Sequence, residues 1–293
     1  DILISGTSYA TFSSELFFTT NFFINEPGNK TIVGLSSSKS ELFNPYTRQS
    51  LDRIFIEKNS AINYLSEIPI SYDDDGFLEL NISNSLKIKL HAIKKGDIHV
   101  GNIILHDLLD TYVYGTEFDD ELFGTSGNDY IDGWAENDPF STCGGVGSGN
   151  DILNGKEGND VLVGGPSMHN CGGFNRDIFK FDANSGHDIV VDFTSSFERP
   201  GYVNYRKHMD VLEIEENING INFRTATELL NISQNNTDGF AEINLGGSNK
   251  ITLHGKSIAS IEPVHFRIIP KIDNYIIGTN ENDNLLVNNL FNE

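Results

Sequence analysis

Six aspartates, Asp120, Asp129, Asp138, Asp151, Asp160 and Asp177, recur through the middle of this 293-residue chain in one setting. Each follows a glycine-rich stretch and stands two places before an apolar residue: Leu122, Ile131, Phe140, Leu153, Leu162 and Phe179. Gly115 to Phe123 runs directly into Gly124 to Asp132 and then into Gly133 onward, so the phrase is nine residues long, and it resumes at Val146 to Asn154 and Gly155 to Val163. A carboxylate repeated at a fixed height beside glycine-turn carbonyls is a set of hard oxygen ligands. Such sets, flexible and high in ligand number, select calcium over softer transition metals.

The elements that position these ligands follow from the spacing. A coil of two phrases takes 18 residues and supplies two tight turns and two short strands, so equivalent positions stack two phrases apart. On that count Asp120, Asp138 and Asp160 line one edge, and Asp129, Asp151 and Asp177 the other. Gly115, Gly124, Gly127, Gly133, Gly147, Gly149, Gly155 and Gly158 provide the turn conformations and leave carbonyl oxygens uncovered. The apolar residue two after each aspartate points inward and fills a narrow core. Phe118 and Glu136 replace the fourth-position glycine, and insertions at Pro139 to Gly145 and Pro166 to Gly173 interrupt the count.

These phrases resemble the RTX, or haemolysin-type, calcium-binding family. The resemblance implies a parallel β-roll that holds several Ca2+ ions between stacked turns, through the sixth-position aspartates and turn carbonyls. Residues 177 to 269 are similar to the β-rich segment that follows the repeats in serralysin-type proteases, on Asp177-Ile-Phe-Lys-Phe181, Gly186-His-Asp-Ile-Val-Val-Asp-Phe193 and Lys250-Ile-Thr-Leu-His-Gly255. In that pattern Asp188 and Asp192 help close the last calcium site. The family is typically exported by type I machinery, which implies an extracellular or cell-surface location.

A longer repeat encloses the short one. At an offset of 163 residues, Asp75 to His91 matches Asp238 to His254 at ten of 17 positions. The same offset pairs Tyr112 with Tyr275, Gly115 with Gly278, and Asp120 with Asp283, so Asp283 opens a further phrase and a further metal position. Asp52 to Glu57 aligns with Asp210 to Glu215 after a five-residue gap, and Asp1-Ile-Leu-Ile4 resembles Asp160-Val-Leu-Val163. The expected fold is all-β: a parallel β-roll of calcium-binding nonapeptides between two duplicated β-sandwich-like domains. Its expected division is a first β domain at 1–110, the roll at 111–180, a second β domain at 181–272, and the start of a second array at 273–293. Both ends read as cuts within repeats, as in a piece of a longer alternating polymer. Little of the chain has helical periodicity; the best stretch is the short Ala226 to Asn231.

Formal net charge is −22, and residues 115 to 193 hold 15 Asp and Glu against three Lys and Arg. That segment repels itself until cations neutralise it, so its folding is expected to be coupled to metal. The same acidity argues against nucleic acid and anionic membrane surfaces as partners. No run approaches the ~18 apolar residues of a membrane span. Cys143-Gly-Gly145 and Cys171-Gly-Gly173 share a setting, one in each insertion. That match favours a disulfide between Cys143 and Cys171 in an oxidising location, with two free thiols as the other reading.

Catalytic signatures are missing from the sequence. There is no His-Glu-x-x-His, no Gly-x-Ser-x-Gly elbow and no phosphate loop. His91 and His254 match each other but end β runs, and Asp73-Asp74-Asp75 reads as a solvated turn before Gly76. The expectation is a secreted, non-enzymatic segment, rigidified by calcium, in a surface layer, an extracellular filament or an adhesin stalk. Its expected partners are calcium, other copies of the same repeat, and surface polysaccharide. The competing reading is the non-catalytic RTX module of a polysaccharide-modifying enzyme such as an epimerase or lyase, with Lys87, Lys89, Lys94 and Lys95 near one β run.

Overall fold

Runs that alternate apolar and polar residues become strands with one wet face, and runs without alternation become strands covered on both. The computed structural model describes residues 2–4, 21–24, 28–33, 53–59, 61–91, 93, 102–116, 118–133, 149–165, 176–195 and 209–271. In the first part these form β1 (Ile2–Ile4), β2 (Asn21–Ile24), β3 (Gly28–Val33), β4 (Arg53–Glu57), β5 (Ile70–Tyr72), β6 (Leu78–Asn81), β7 (Leu86–His91) and β8 (Ile103–His106). They make sheet I, ordered β1-β3-β7-β6-β5, and sheet II, ordered β2-β4-β8. Sheet II is parallel throughout, as are the β1-β3-β7 pairings; β6 and β5 add antiparallel strands at one side.

The remainder continues as β9 (Thr111–Tyr114), β10 (Glu121–Phe123), β11 (Asp129–Asp132), β12 (Ile152–Asn154), β13 (Val161–Val163), β14 (Ile178–Phe181) and β15 (His187–Val190). After these come β16 (Val211–Glu215), the short helix α1 (Ala226–Asn231), β17 (Gln234–Asn235), β18 (Ala241–Asn244), β19 (Lys250–Leu253) and β20 (Phe266–Ile269). Sheet III runs β17-β18-β19-β15-β13-β11-β9, and sheet IV runs β10-β12-β14-β16-β20. Sheets III and IV pass without interruption from the nonapeptide strands into the later ones. The expected division at 180 falls inside β14, so the roll and the second β unit share both sheets.

The 163-residue repeat is visible in the topology. β8 lies opposite β4 as β20 lies opposite β16, and the β5-β6-β7 meander recurs as β17-β18-β19. β1 pairs with β3 in sheet I as β13 pairs with β15 in sheet III, the correspondence suggested by the likeness of residues 1–4 to 160–163. The helical stretch read from sequence is α1, closed by a capping box in which Thr225 Oγ1 accepts from the Glu228 N–H and Glu228 accepts from the Thr225 N–H.

Three apolar layers hold the four sheets in the order I, II, III, IV. Ile32, Ile88 and Leu90 of sheet I meet Ile54, Ile56 and Leu105 of sheet II. Ile131, Leu162 and Val190 of sheet III meet Leu153, Phe179 and Leu212 of sheet IV. Between them, Phe23, Phe55 and Ile104 on the far face of sheet II pack against Tyr130, Val161, Val163 and Ile189 on the far face of sheet III. Sheets II and III are therefore apolar on both faces, which is why β8, β11 and β13 are buried at every position.

Candidate metal centre

The nonapeptide side chains do what their spacing demands, with one change of partners. Leu122 is partly buried, and Ile131, Leu153, Leu162 and Phe179 are fully buried between sheets III and IV. Phe140 lies outside the described residues, as do Asp138, Asp283, Gly147, Cys143 and Cys171.

The expected stacking of aspartates two phrases apart is not what forms. β10 pairs with β12 and β12 with β14, so one edge is Asp120, Asp151 and Asp177; β11 pairs with β13 and β13 with β15, so the other is Asp129, Asp160 and Asp188. Neighbours along these edges are 31, 26 or 28 residues apart. The cause lies after Gly133. A strand begun at Asp138 would open on Pro139, which has no N–H to offer, whereas Ile152 donates its N–H to the Asp120 carbonyl at 2.8 Å. Residues 134–148 lie outside the described residues, and across them Gly133 takes Asp151 as its turn partner: a Cβ built on Gly133 would press on Asp151 Oδ2. Gly164 stands in the same relation to Asp177.

From Asp151 and Asp160 onward, each described edge carboxylate uses one oxygen to fix the coil before it. Asp151 Oδ1 accepts from the Asp120 N–H at 2.9 Å, Asp177 Oδ1 from the Asp151 N–H at 3.0 Å, and Asp210 Oδ1 from the Asp177 N–H at 3.0 Å. On the other edge, Asp160 Oδ1 accepts from the Asp129 N–H at 2.7 Å and Asp188 Oδ1 from the Asp160 N–H at 3.0 Å. The fifth-position carboxamides work in the opposite direction. Asn128 Oδ1 accepts from the Asn159 N–H, Asn159 Oδ1 from the His187 N–H, and Asn150 Oδ1 from the Arg176 N–H.

The second oxygens distinguish the coils. In the first coil Asp120 Oδ2 and Asp129 Oδ2 are held by the N–H and hydroxyl groups of Thr116 and Thr125. Among the described residues Asp151, Asp160 and Asp177 have no such donor, and the Oδ2 of each is buried with no hydrogen-bond partner. An orphaned buried carboxylate oxygen is costly and calls for an explanation such as an ion. The surroundings fit one. At Asp151 a Cβ on Gly133 would fall between the orphaned Oδ2 and the Gly164 carbonyl; the same cleft recurs at Gly124, between the Gly155 carbonyl and Asp129 Oδ2, and at Gly115, between the Gly133 carbonyl and Asp120 Oδ2, where threonine donors also reach the carboxylate. These cradles, each a carboxylate oxygen facing a turn carbonyl, are a donor set for a hard cation. Among the described residues no three His, Cys, Asp or Glu side chains converge on one point, so an ion here depends on backbone oxygens as well.

Glycine is obligatory where coils touch. A Cβ on Gly158, at φ +126°, would strike the Gly127 carbonyl, and one on Gly186, at φ +84°, the Gly158 carbonyl. Gly155 is as close to the Asp160 carboxylate, and Gly149 to the backbone of Phe118 and Asp119.

Burial makes the acid chemistry unusual. It pushes the carboxyls of Asp151 and Asp160 up to about 7, with neighbouring carboxylates adding to the rise. Asp177 and Asp188 are raised well above the ordinary range by burial and by Asp210 and Asp160 respectively. A cation of the kind the cradles admit would reverse this.

Two assignments look different in three dimensions. Asp192 accepts from the Gly164 and Gly165 N–H groups and meets Arg53 at 3.4 Å, so both of its oxygens are occupied by the protein itself. Asp210, which the sequence reading aligned but did not count as a ligand, continues the Asp120 edge and also accepts from the Thr194 N–H. Its signal was there to read: Asp210 precedes Val-Leu just as Asp177 precedes Ile-Phe.

Comparison with known proteins agrees with the repeat. Residues 112–138 and 146–167 match the family model for the RTX calcium-binding nonapeptide repeat, in four copies. No curated protein matches the chain by sequence. Among solved structures, the chain is similar to the extracellular lipase LipA from Serratia marcescens, at 14% identity and a TM-score of 0.29 over 90% of this chain. The match covers 42% of the lipase chain, less than half its length.

Proposed function

From a chain that carries RTX calcium-binding nonapeptide repeats, we propose a secreted structural segment that calcium folds and stiffens, exported by a type I system and working in a surface layer, an extracellular filament or an adhesin stalk. Repeats of this kind are non-catalytic and typical of secreted proteins, and no described helix is long and apolar enough to cross a membrane. The observation that carries the proposal is the set of three buried, unpartnered oxygens at Asp151, Asp160 and Asp177.

In this reading Asp120, Asp151 and Asp177 hold ions along one edge, and Asp129, Asp160 and Asp188 along the other, with the carbonyls of Gly133, Gly155 and Gly164 completing the oxygen sets. Asp138 and Asp283 are proposed to serve further turns, and Cys143 and Cys171 to staple the two insertions. Bound divalent cations supply the charge that lets these carboxylates stay ionised in a dry interior. The residues do the rest: the Oδ1 atoms hold the register between coils, the asparagines tie each coil to the next, and the inward aliphatics seal the core. Within the chain, sheet II of one repeat of the 163-residue period packs against sheet III of the next.

Calcium titration followed by circular dichroism and calorimetry tests the proposal. The expected result is a calcium-dependent gain of β signal with several ions per chain, reversed by chelation. An equal response to magnesium, or no response to either ion, would sink it.

A further inference from the structure

The two carboxylate edges of the roll are built differently, and the difference lies in the first unit. Resting on the calcium reading above, we propose that the first unit buttresses one edge only, Asp129–Asp160–Asp188, so the chain has two classes of calcium position and the tighter class depends on docking between sheets II and III.

The Asp120–Asp151–Asp177 edge is held by the roll's own groups. Asn150, at position five, donates its Nδ2 to Asp119 and accepts the Arg176 N–H, both within the array. On the other edge the position-five residues face two ways. Asn159 accepts the His187 N–H of the next coil and donates Nδ2 to Asp107 Oδ2 at 3.0 Å, and Asn128 accepts the Asn159 N–H and donates Nδ2 to the Leu108 carbonyl at 2.9 Å. Asp107 and Leu108 directly follow β8 of the first unit. The carboxamides that set coil spacing are thus oriented from outside the roll.

The strands tell the same story. Tyr130, Val161 and Ile189, each next in sequence to an edge aspartate, form the face that meets sheet II. Phe23 and Phe55 stack at 4.6 Å and meet the Tyr130 ring edge-on at 5.0 and 5.5 Å. The Tyr130 hydroxyl accepts from Asn21 Nδ2 at 3.1 Å and donates to Asp132 at 2.7 Å. Arg53 reaches Asp192, whose carboxylate holds the Gly164 and Gly165 N–H groups. A side chain displaced on sheet II moves the backbone that carries the edge aspartates. By reciprocity, whatever docking contributes to calcium affinity, calcium returns to docking.

None of Phe55, Phe23 and Asp107 is among the proposed calcium ligands, so they are positioning residues, and the full chain can test them. Calorimetric calcium isotherms are compared for the wild type, Phe55→Ala and Asp107→Ala, with Leu90→Ala as a control that weakens the first unit from its other face. The expected result is a biphasic wild-type isotherm whose tighter phase moves to at least about five-fold higher calcium in Phe55→Ala and Asp107→Ala, a typical lower bound for coupled sites. The weaker phase should stay in place, and Leu90→Ala should keep both phases. If Phe55→Ala does not fold, Phe23→Leu, which keeps an apolar side chain and removes the ring contacts to Phe55, Tyr112 and Tyr130, should shift the same phase by less. An isotherm unchanged in these variants, or an equal shift in Leu90→Ala, would overturn the coupling. A wild type that binds no calcium would instead overturn the functional reading on which the coupling rests.

Discussion

Phe23, Phe55 and Ile104 on sheet II occupy the same ladder positions as Lys180, Glu213 and Arg267 on sheet IV, strand for strand. The first row is apolar and packs against sheet III; in the second row, Lys180 and Arg267 both pair with Glu213, at 3.6 and 2.7 Å. The inner faces of the two sheets are alike, each filled with Ile, Leu and Phe. Duplication has therefore preserved the fold and its core while three outward positions set what each unit can touch. A row of alternating charge is paired at little cost in water and at high cost in a dry interface. A following roll could not sit on sheet IV through the contacts that seat this roll on sheet II.

Exchanging the rows is the severest way to break this contrast. Phe23→Lys, Phe55→Glu and Ile104→Arg together would place three charges in a dry joint, at roughly 3–5 kcal/mol for each one left unpaired, a cost comparable to the whole stability of a domain, about 5–15 kcal/mol. The layers should separate, seen as an expanded particle in small-angle scattering with calcium present. A single Phe55→Ala opens a cavity at a position with 0% exposure and should cost about 3–5 kcal/mol, read as a lowered denaturation midpoint.

Acid should separate the two halves next. Burial raises Asp151, Asp160 and Asp210 to about 7, whereas the unfolded chain releases those protons near ~4. The calcium-free fold therefore holds protons the unfolded chain has lost, so it gains stability as pH falls from about 7 toward 4 and loses it as pH rises through 7. In chelator, the β signal that remains from sheets III and IV should persist to a higher temperature at pH 5 than at pH 8. The sheet II row has no carboxylate and should not contribute to that change. The smallest effect belongs to the charged row: Glu213→Ala leaves Lys180 and Arg267 partly in water and should change stability by no more than about 1 kcal/mol in melts at moderate salt.

Much of this was legible in the chain. The inward residues Ile131, Leu153, Leu162 and Phe179 followed from counting two places past each aspartate, because strand geometry leaves no other face for them. The helix at Ala226–Asn231 and the duplicated strands followed from periodicity and from the 163-residue offset. The stacking partners did not, because a count of nines treats Gly133 to Phe140 as one more phrase. Glu136 and Pro139 mark it as different, and Pro139 has no N–H with which to open a strand beside Asp120. The fifth-position asparagines were visible as a pattern, yet their work spans two coils and has no local signature. The joint between sheets II and III was also hidden, since Ile-Phe-Ile in β4 reads as any buried strand until both of its faces find partners.

The opposed directions of the aspartate and asparagine bonds bear on how damage spreads. Each added coil brings a carboxylate for the amide behind it and an amide for the carboxamide behind it, so two neighbours are clasped twice or not at all. An array of such clasps behaves as a one-dimensional lattice with nearest-neighbour coupling. Losing one clasp would cut the line at that point and leave two shorter segments, each with its own melting temperature, in place of a single array weakened evenly along its length.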